Sequence, residues 1–147
     1  MQEAPVALLE ATFNCEHHAS IWWADSAPRP RVLIIDDDRA LSHLVSFVMR
    51  QEGFEVDTVN DGDSGIRLAV QSAYDAVVLD LRMPGKDGRA VYRELRESGV
   101  QVPVLILSAY NARQATEELG AQAYLNKPFE PSELAEVVRR LVTHNGA

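Results

Sequence analysis

The sequence has little cysteine and no long apolar run, and both absences narrow what the protein can be. Its 147 residues include one cysteine, Cys15, so no internal disulfide can form and a reducing compartment is expected. No apolar stretch approaches the roughly 20 residues that a membrane span requires. Glu3 and Glu10 near the N-terminus make a poor secretory signal, because such signals begin with basic residues. We therefore expect a cytoplasmic protein with no membrane partner.

Positive charge is also scarce. The chain has 14 lysines and arginines against 22 aspartates and glutamates, for a net charge of −8. No cluster of basic residues offers contacts to phosphates, so a nucleic-acid partner is not expected. The apolar fraction of 46% is enough to form the core of one domain of ordinary size.

The first 30 residues differ in composition from the rest. Their distinctive side chains are Cys15, His17, His18, Trp22 and Trp23. Cys15, His17 and His18 could be metal ligands, but a metal site needs about four ligands and no further group of ligands lies nearby in the sequence. We therefore do not expect a metal site in this segment. The segment ends in Ala27–Pro30, whose prolines indicate a stiff linker. We expect residues 1–30 to be an extension of unknown role and residues 31–147 to form the domain.

Apolar runs recur after residue 30, and each ends abruptly in polar residues. The runs are Val32–Ile35, Tyr74–Leu79, Val104–Leu107 and, more weakly, Ala123–Asn126. Such unbroken runs are typical of strands that are buried on both faces. Glu55–Val59 adds a fifth, short strand.

Helical periodicity fills the segments between these strands. In the first helix, five apolar residues have helical spacing and are expected to face inward: Leu41, Leu44, Val45, Val48 and Met49. In the second helix the expected inward residues are Ile66, Ala69 and Val70. Five βα units in succession predict an α/β fold, with a five-stranded parallel sheet between two layers of helices.

Residues that can begin or end helices support the same assignment. Asp38 is suited to cap the N-terminus of the first helix, and Gly53 is suited to end it. Pro131 is suited to begin the last helix.

Residues whose side chains could bind a ligand or take part in a reaction follow the ends of the apolar runs. These residues are Asp36, Asp37, Asp38, Asp80, Ser108 and Lys127. In an open α/β sheet the carboxyl ends of the strands form the binding edge, so we expect these side chains to meet there. Neighbouring carboxylates repel one another unless a cation relieves them, and an all-oxygen set favours Mg²⁺ or Mn²⁺.

An aspartate at such a site can attack phosphorus and form an aspartyl phosphate. The reaction needs the charge on the transferred group to be neutralised, which a divalent cation and Lys127 would supply. The Ser108 hydroxyl could then bind an oxygen of the attached phosphoryl group.

Four motifs carry a resemblance to a known family. They are Val32–Asp38, Asp80–Gly88 (Asp-Leu-Arg-Met-Pro-Gly-Lys-Asp-Gly), Leu107–Ala109 and Gly120–Phe129. With these motifs, the chain from about Arg31 to Val142 resembles the receiver domain of two-component response regulators, in particular the stand-alone, chemotaxis-regulator-like type.

The resemblance implies a flavodoxin-like doubly wound fold and a signalling switch, which is not an enzyme acting on a separate substrate. Asp80 would be the phosphoacceptor. Asp37, Asp80 and the backbone carbonyl of Arg82 would hold Mg²⁺, with Mn²⁺ as a possible substitute, and Asp36 would act through a water molecule.

The resemblance also implies how the switch works. Ser108 would turn toward the new phosphoryl group, Tyr124 would turn inward behind it, and Lys127 would pair with its oxygens. The bond between Lys127 and Pro128 is expected to be cis. The phosphoryl donor would be a phosphohistidine of a histidine kinase or a histidine phosphotransfer protein, and the changed surface would bind a downstream output protein.

Two features depart from the family pattern. Only eleven residues, 109–119, separate Ser108 from Gly120, so the fourth helix is expected to be about one turn short. That helix belongs to the usual dimer face, so we expect a monomer or a weak dimer. Arg82 and Tyr110 flank the path of hydrolytic water, and we expect their bulk to slow loss of the phosphoryl group.

Other interpretations remain open. In a haloacid-dehalogenase-type phosphohydrolase, Asp36 would be the nucleophile and Asp38 the acid/base, but this leaves the Asp80 motif unexplained. A receiver-like module that is never phosphorylated fits less well, because the acidic set and Lys127 are intact. The chain could also be the receiver fragment of a longer transcriptional regulator. The appearance of both ends favours a stand-alone receiver.

Overall fold

A computed structural model describes residues 28–146, including the side chains of residues 28–143. The strands are β1 (Arg31–Ile35), β2 (Glu55–Val59), β3 (Ala76–Asp80), β4 (Val104–Ser108) and β5 (Ala123–Asn126). The helices are α1 (Arg39–Gln51), α2 (Gly62–Gln71), α3 (Gly88–Glu97), α4 (Ala112–Leu119) and α5 (Pro131–Gly146). Most of the predicted N-terminal extension, residues 1–27, lies outside the described residues.

The five strands form one parallel sheet in the order β2-β1-β3-β4-β5. This is the doubly wound, flavodoxin-like order, and it confirms the predicted fold. Every residue of β3 and β4 is buried, because helices cover both faces of the sheet. The carboxyl ends of β1 and β3 lie side by side, which brings the segments after them to one edge.

Two apolar clusters fill the space between the sheet and the helices. One lies under α1 and α5 and includes Val45, Met49, Leu134 and Val138. The other lies under α2 and α3 and includes Ile66, Val91 and Leu95. Alternate residues of β1, β3 and β4 contribute to opposite clusters, so the sheet is held from both sides.

Local signals in the sequence set the helix ends. The Asp38 carboxylate accepts a hydrogen bond from the Leu41 N–H and caps α1, while Gly53 follows the helix with φ of 102°. Helix α5 begins at Pro131, as predicted. Helix α4, with eight residues, is the shortest of the described helices.

Two predictions of inward-facing residues are wrong. Leu44 is 50% exposed and Val70 is 55% exposed. On α1 the buried stripe contains Ser42 and Ser46 in addition to the predicted Val45 and Met49. The serines can be buried because their hydroxyls donate to backbone carbonyls, those of Asp36 and His43 respectively, and Leu44 lies outside this stripe.

The described helices include none that could cross a membrane. None of those within residues 28–146 is both long and apolar enough to do so.

Candidate functional site

Three carboxylates meet at the carboxyl edge of the sheet. Asp36 and Asp37 follow β1, and Asp80 is the last residue of β3, which pairs directly with β1. One oxygen of each carboxylate lies within 4.8 Å of the others. Asp36 and Asp80 are buried, and Asp37 is exposed. The three predicted residues are thus brought together, in an all-oxygen set of the kind that binds Mg²⁺ or Mn²⁺.

The loop between β1 and α1 is fixed by its own hydrogen bonds. The Asp36 N–H donates to the Val59 carbonyl at 3.1 Å, which continues the pairing of β1 with β2. One oxygen of the Asp36 carboxylate accepts a bond from the Asp38 N–H at 2.9 Å. The Asp36 side chain therefore points into the sheet edge while the next residue, Asp37, remains exposed to the solvent.

Lys127 supplies the positive charge of the site. It follows β5, and its N–H donates to the Ser108 carbonyl at 2.9 Å. The ammonium nitrogen lies 3.3 Å from a carboxylate oxygen of Asp36 and 3.4 Å from one of Asp80. The peptide bond between Lys127 and Pro128 is cis. One lysine thus bridges the two buried carboxylates.

Burial and repulsion alter the acid–base properties of these groups. Burial, followed by the nearby charge of Asp36, raises the pKa of Asp80 to about 7, although Lys127 opposes this rise. Burial lowers the pKa of Lys127, but the charges on Asp36 and Asp80 outweigh it and the net shift is upward. The lysine therefore stays protonated, and near neutral pH a negative charge on Asp80 is costly.

Two further predicted site residues lie on the neighbouring strands: Ser108 is the last residue of β4, and Tyr124 is the second residue of β5. The Ser108 hydroxyl donates to the Tyr110 carbonyl at 2.7 Å and accepts from the Tyr110 N–H at 3.1 Å. Tyr124 is 39% exposed. The hydroxyl of Ser108 is thus engaged with the loop between β4 and α4, and the Tyr124 ring is partly in the solvent.

An open cleft of about 530 Å³ adjoins the site, between the loops that follow β3 and β4. Its lining includes Arg82, Met83, Ser108 and Tyr110. Arg82 also donates its N–H to a carboxylate oxygen of Asp80, over a long 3.4 Å. The two bulky residues singled out in the sequence, Arg82 and Tyr110, therefore line the same cleft.

Two residues that shape the site were not identified as site residues from the sequence. A Cβ atom on Gly88 would lie 2.5 Å from the carbonyl oxygen of Asp80, so only glycine lets α3 begin this close to the end of β3. Asn60 follows β2, and its side-chain amide donates to the Asp36 carbonyl at 2.8 Å. The glycine lies in the Asp80–Gly88 motif, whereas the asparagine lies outside all four motifs.

Comparisons with known proteins agree with this geometry. The protein-family model of the response regulator receiver domain matches residues 32–139. The transcriptional regulatory protein PrrA of Mycobacterium leprae is 42% identical over 121 residues, covering 80% of this chain and 52% of that protein. The transcriptional regulatory protein QseB of Escherichia coli O157:H7 is 43% identical over 114 residues, covering 76% and 51% respectively.

Solved structures show the same fold. The chemotaxis protein CheY4 of Vibrio cholerae is 27% identical with a TM-score of 0.72, covering 78% of this chain and 99% of that one. The receiver domain of the sensor histidine kinase PA1611 from Pseudomonas aeruginosa PAO1, solved with a magnesium ion in its active-site cleft, is 30% identical with a TM-score of 0.71. It covers 79% of this chain and 99% of that chain.

The matches cover different shares of the two kinds of relative. The chain spans about half the length of the transcriptional regulators it matches, whereas it covers nearly all of the single receiver domains. The family model accounts for 108 residues, 32–139, of the 147. The chain belongs to the response regulator receiver domain family of two-component signal transduction.

Proposed function

We propose that this domain is a phosphoacceptor switch in which Asp80 receives a phosphoryl group from a phosphohistidine. The observation that carries the proposal is the position of Asp80, buried at the end of β3 beside a second carboxylate and in contact with Lys127. A carboxylate that lies beside a cation is suited to attack phosphorus, because the cation offsets the negative charge of the transferred group.

In the transfer step, an oxygen of the Asp80 carboxylate forms a bond to phosphorus. The bond between phosphorus and the histidine nitrogen breaks, and the electron pair of that bond stays on the imidazole. The ammonium group of Lys127, now 3.3–3.4 Å from Asp36 and Asp80, is close enough to pair with an oxygen of the incoming group. The chain thereby neutralises part of the charge that accumulates around phosphorus.

The acidic set fits a divalent cation, because it offers several carboxylate oxygens within one small volume. Asp37, Asp80 and the backbone carbonyl of Arg82 would hold Mg²⁺, or Mn²⁺ in its place, and Asp36 would contact it through a water molecule. When bound, the cation relieves the repulsion among the carboxylates and stabilises charge on the phosphoryl oxygens.

Phosphorylation of Asp80 would change the conformation of the domain by replacing the present hydrogen bonds of the Ser108 hydroxyl. In the present arrangement the Ser108 hydroxyl is bonded to Tyr110. Bonding to a phosphoryl oxygen would free the loop between β4 and α4, and Tyr124 could then turn inward. The output is a changed surface around α4 and β5, which a downstream output protein would bind.

A histidine kinase or a histidine phosphotransfer protein would supply the phosphoryl group in the cytoplasm. The matched segment covers only about half of each transcriptional regulator, so a receiver within a longer transcriptional regulator is the second candidate. We propose a domain boundary near residue 31 and a monomer or weak dimer. The family match argues against the phosphohydrolase interpretation, in which Asp36 would be the nucleophile.

The test is peptide mass spectrometry after incubation with acetyl phosphate and Mg²⁺. We expect a labile phosphoryl group on the peptide containing Asp80 in the wild type and in Asp57→Asn, and none in Asp80→Asn. Asp57 is the central residue of β2, its carboxylate contacts Arg31 and Tyr74, and it is a matched control for loss of one carboxylate. A label that persists in Asp80→Asn, or that moves to Asp36 with steady phosphate release, would contradict the proposal.

A further inference from the structure

The main-chain carbonyl of Asp36 is held by two side-chain donors. The Asn60 amide donates to it at 2.8 Å, and the Ser42 hydroxyl donates at 3.4 Å. Asp36 is 1% exposed, so water has little access to replace either donor. The shorter of the two bonds comes from Asn60 and is therefore the main support of this carbonyl.

Asn60 is well placed for this contact because of the strand register. Ile35 pairs with Val59 in the parallel ladder, and the Asp36 N–H continues the ladder by donating to the Val59 carbonyl. Asn60 is the next residue after Val59, so its short side chain lies opposite the first residue of the β1–α1 loop. Strand β2 is at the edge of the sheet, and no further strand among residues 28–146 could supply a donor from that side.

The β1–α1 loop carries two of the three carboxylates of the site. Asp36 is attached to the edge at three points: its N–H, its carbonyl and its carboxylate. Asp37 follows immediately and is exposed, and the peptide that joins it to Asp36 is the one whose carbonyl Asn60 holds. A change in that peptide would rotate Asp37 away from Asp80.

We propose that Asn60 is a positioning residue for the divalent-cation site: from the end of β2 it fixes the Asp36–Asp37 peptide and thereby sets the affinity for Mg²⁺, without contacting the ion. The inference rests on the proposed function. Groups that orient a metal ligand typically contribute tenfold or more to affinity, and Asn60 acts through the main chain, so we expect about a tenfold effect at the low end of that range.

The experiment compares Asn60→Ala with a matched control, Arg50→Ala. The Arg50 guanidinium donates to the Val56 carbonyl, also at 2.8 Å, toward the other end of the same strand. Each variant therefore loses one side-chain bond to a backbone carbonyl near β2. NMR titration with MgCl₂ gives the Kd, and thermal unfolding with EDTA gives the stability without metal.

We expect Asn60→Ala to raise the Kd for Mg²⁺ about tenfold and Arg50→Ala to leave it within about twofold. The rate of labelling by acetyl phosphate should fall for Asn60→Ala at low Mg²⁺ and recover at saturating Mg²⁺, which a general loss of structure would not produce. Asn60→Gln, which keeps an amide donor on a longer side chain, should recover part of the affinity.

An unchanged Kd in Asn60→Ala would overturn the inference, and so would equal losses of affinity in both variants. Both results leave the phosphoacceptor proposal standing as long as the wild type binds Mg²⁺ and is labelled at Asp80. A wild type that shows neither would overturn the proposed function, and the inference with it.

Discussion

The two ends of the sheet carry clusters of similar composition in different surroundings. At the amino end, Arg31 pairs with Glu55 and Asp57, and its backbone N–H binds the carboxylate of Asp75. At the carboxyl end, Lys127 faces Asp36 and Asp80, with Asp37 beside them. In each cluster one cationic side chain thus contacts two carboxylates, with a third close by.

Burial separates the two clusters. The side chains of Arg31, Glu55 and Asp57 are 38%, 57% and 48% exposed, whereas those of Asp36 and Asp80 are 2% and 3% exposed. Exposed charges are relieved by water, so the amino-end cluster can remain as it is. Buried carboxylates in excess of their counter-charge are relieved only by protonation or by another cation. The number of charged groups therefore does not by itself make a functional site. Similar clusters differ in reactivity because water is excluded from the cluster around Lys127 and not from the cluster around Arg31.

The largest expected effect on stability comes from Asp80→Asn. The pKa of Asp80 is raised from 3.8 to about 7 in the folded protein. The stability associated with its protonation is complete at low pH and is lost as the pH rises through about 7. At pH 8 with EDTA, we expect Asp80→Asn to increase the free energy of unfolding by about 3 kcal/mol, and by about half as much at pH 5.

Urea unfolding at both pH values measures this effect. Asp57→Asn is the control from the amino end, and we expect it to lose no more than about 1 kcal/mol. Equal effects for the two variants would show that burial does not distinguish the clusters.

The second prediction concerns the cation. At pH 8, we expect saturating Mg²⁺ to stabilise the fold by about 2.7 kcal/mol when its concentration is 100 times the Kd. The effect should shrink at pH 5.5, because a protonated Asp80 is a poor ligand. Thermal unfolding with MgCl₂ or EDTA measures it. Asp37→Asn should abolish most of the stabilisation, and stabilisation that survives in Asp37→Asn would place the ion elsewhere.

The third prediction tests the amino end. Arg31→Met removes the contacts with Asp57 and with the Ala73 carbonyl, and the stacking of the guanidinium on the Tyr74 ring. Because the cluster is exposed, we expect a loss of about 1 kcal/mol that becomes smaller in high salt. Labelling of Asp80 should be unchanged. Loss of labelling in a variant that is still folded would show that the two ends are coupled.

The smallest expected effect concerns the lifetime of the phosphorylated form. Arg82 and Tyr110 line the cleft beside Asp80, through which hydrolytic water would enter. We expect Arg82→Ala and Tyr110→Ala to lose the phosphoryl group a few times faster than the wild type, since a few-fold change corresponds to about 1 kcal/mol in the barrier. Decay of the label after removal of acetyl phosphate measures the rate. Unchanged or slower decay in both variants would contradict the steric explanation.

Much of the fold could be predicted because local signals and global topology agree. Apolar runs marked the strands, Asp38 and Pro131 marked helix ends, and the alternation of elements implied the parallel sheet. The inward direction of Leu44 was wrong, because periodicity alone did not reveal that hydrogen-bonded serines occupy the buried stripe of α1. That of Val70 was wrong because the buried stripe of α2 runs through its glycines, Gly62 and Gly65, with Ile66 and Ala69.

The site could be predicted only in part, for a related physical reason. Residues at the strand ends were identified because the topology gathers them at one edge. The contact from Asn60 to the Asp36 carbonyl spans 24 positions and depends on strand register, which no local pattern reveals. The cluster around Arg31 was missed likewise, because its partners Asp57 and Tyr74 come from separate elements.

The most direct test of the difference between the two ends is an NMR titration of the Asp80 side-chain carboxyl, without metal and again with Mg²⁺. We expect a midpoint at about pH 7 without metal, because burial and the charge of Asp36 oppose ionisation, and a clearly lower midpoint with Mg²⁺. A midpoint near the ordinary value of 3.8 without metal would contradict the account, since the buried cluster would then hold its charge as easily as an exposed one.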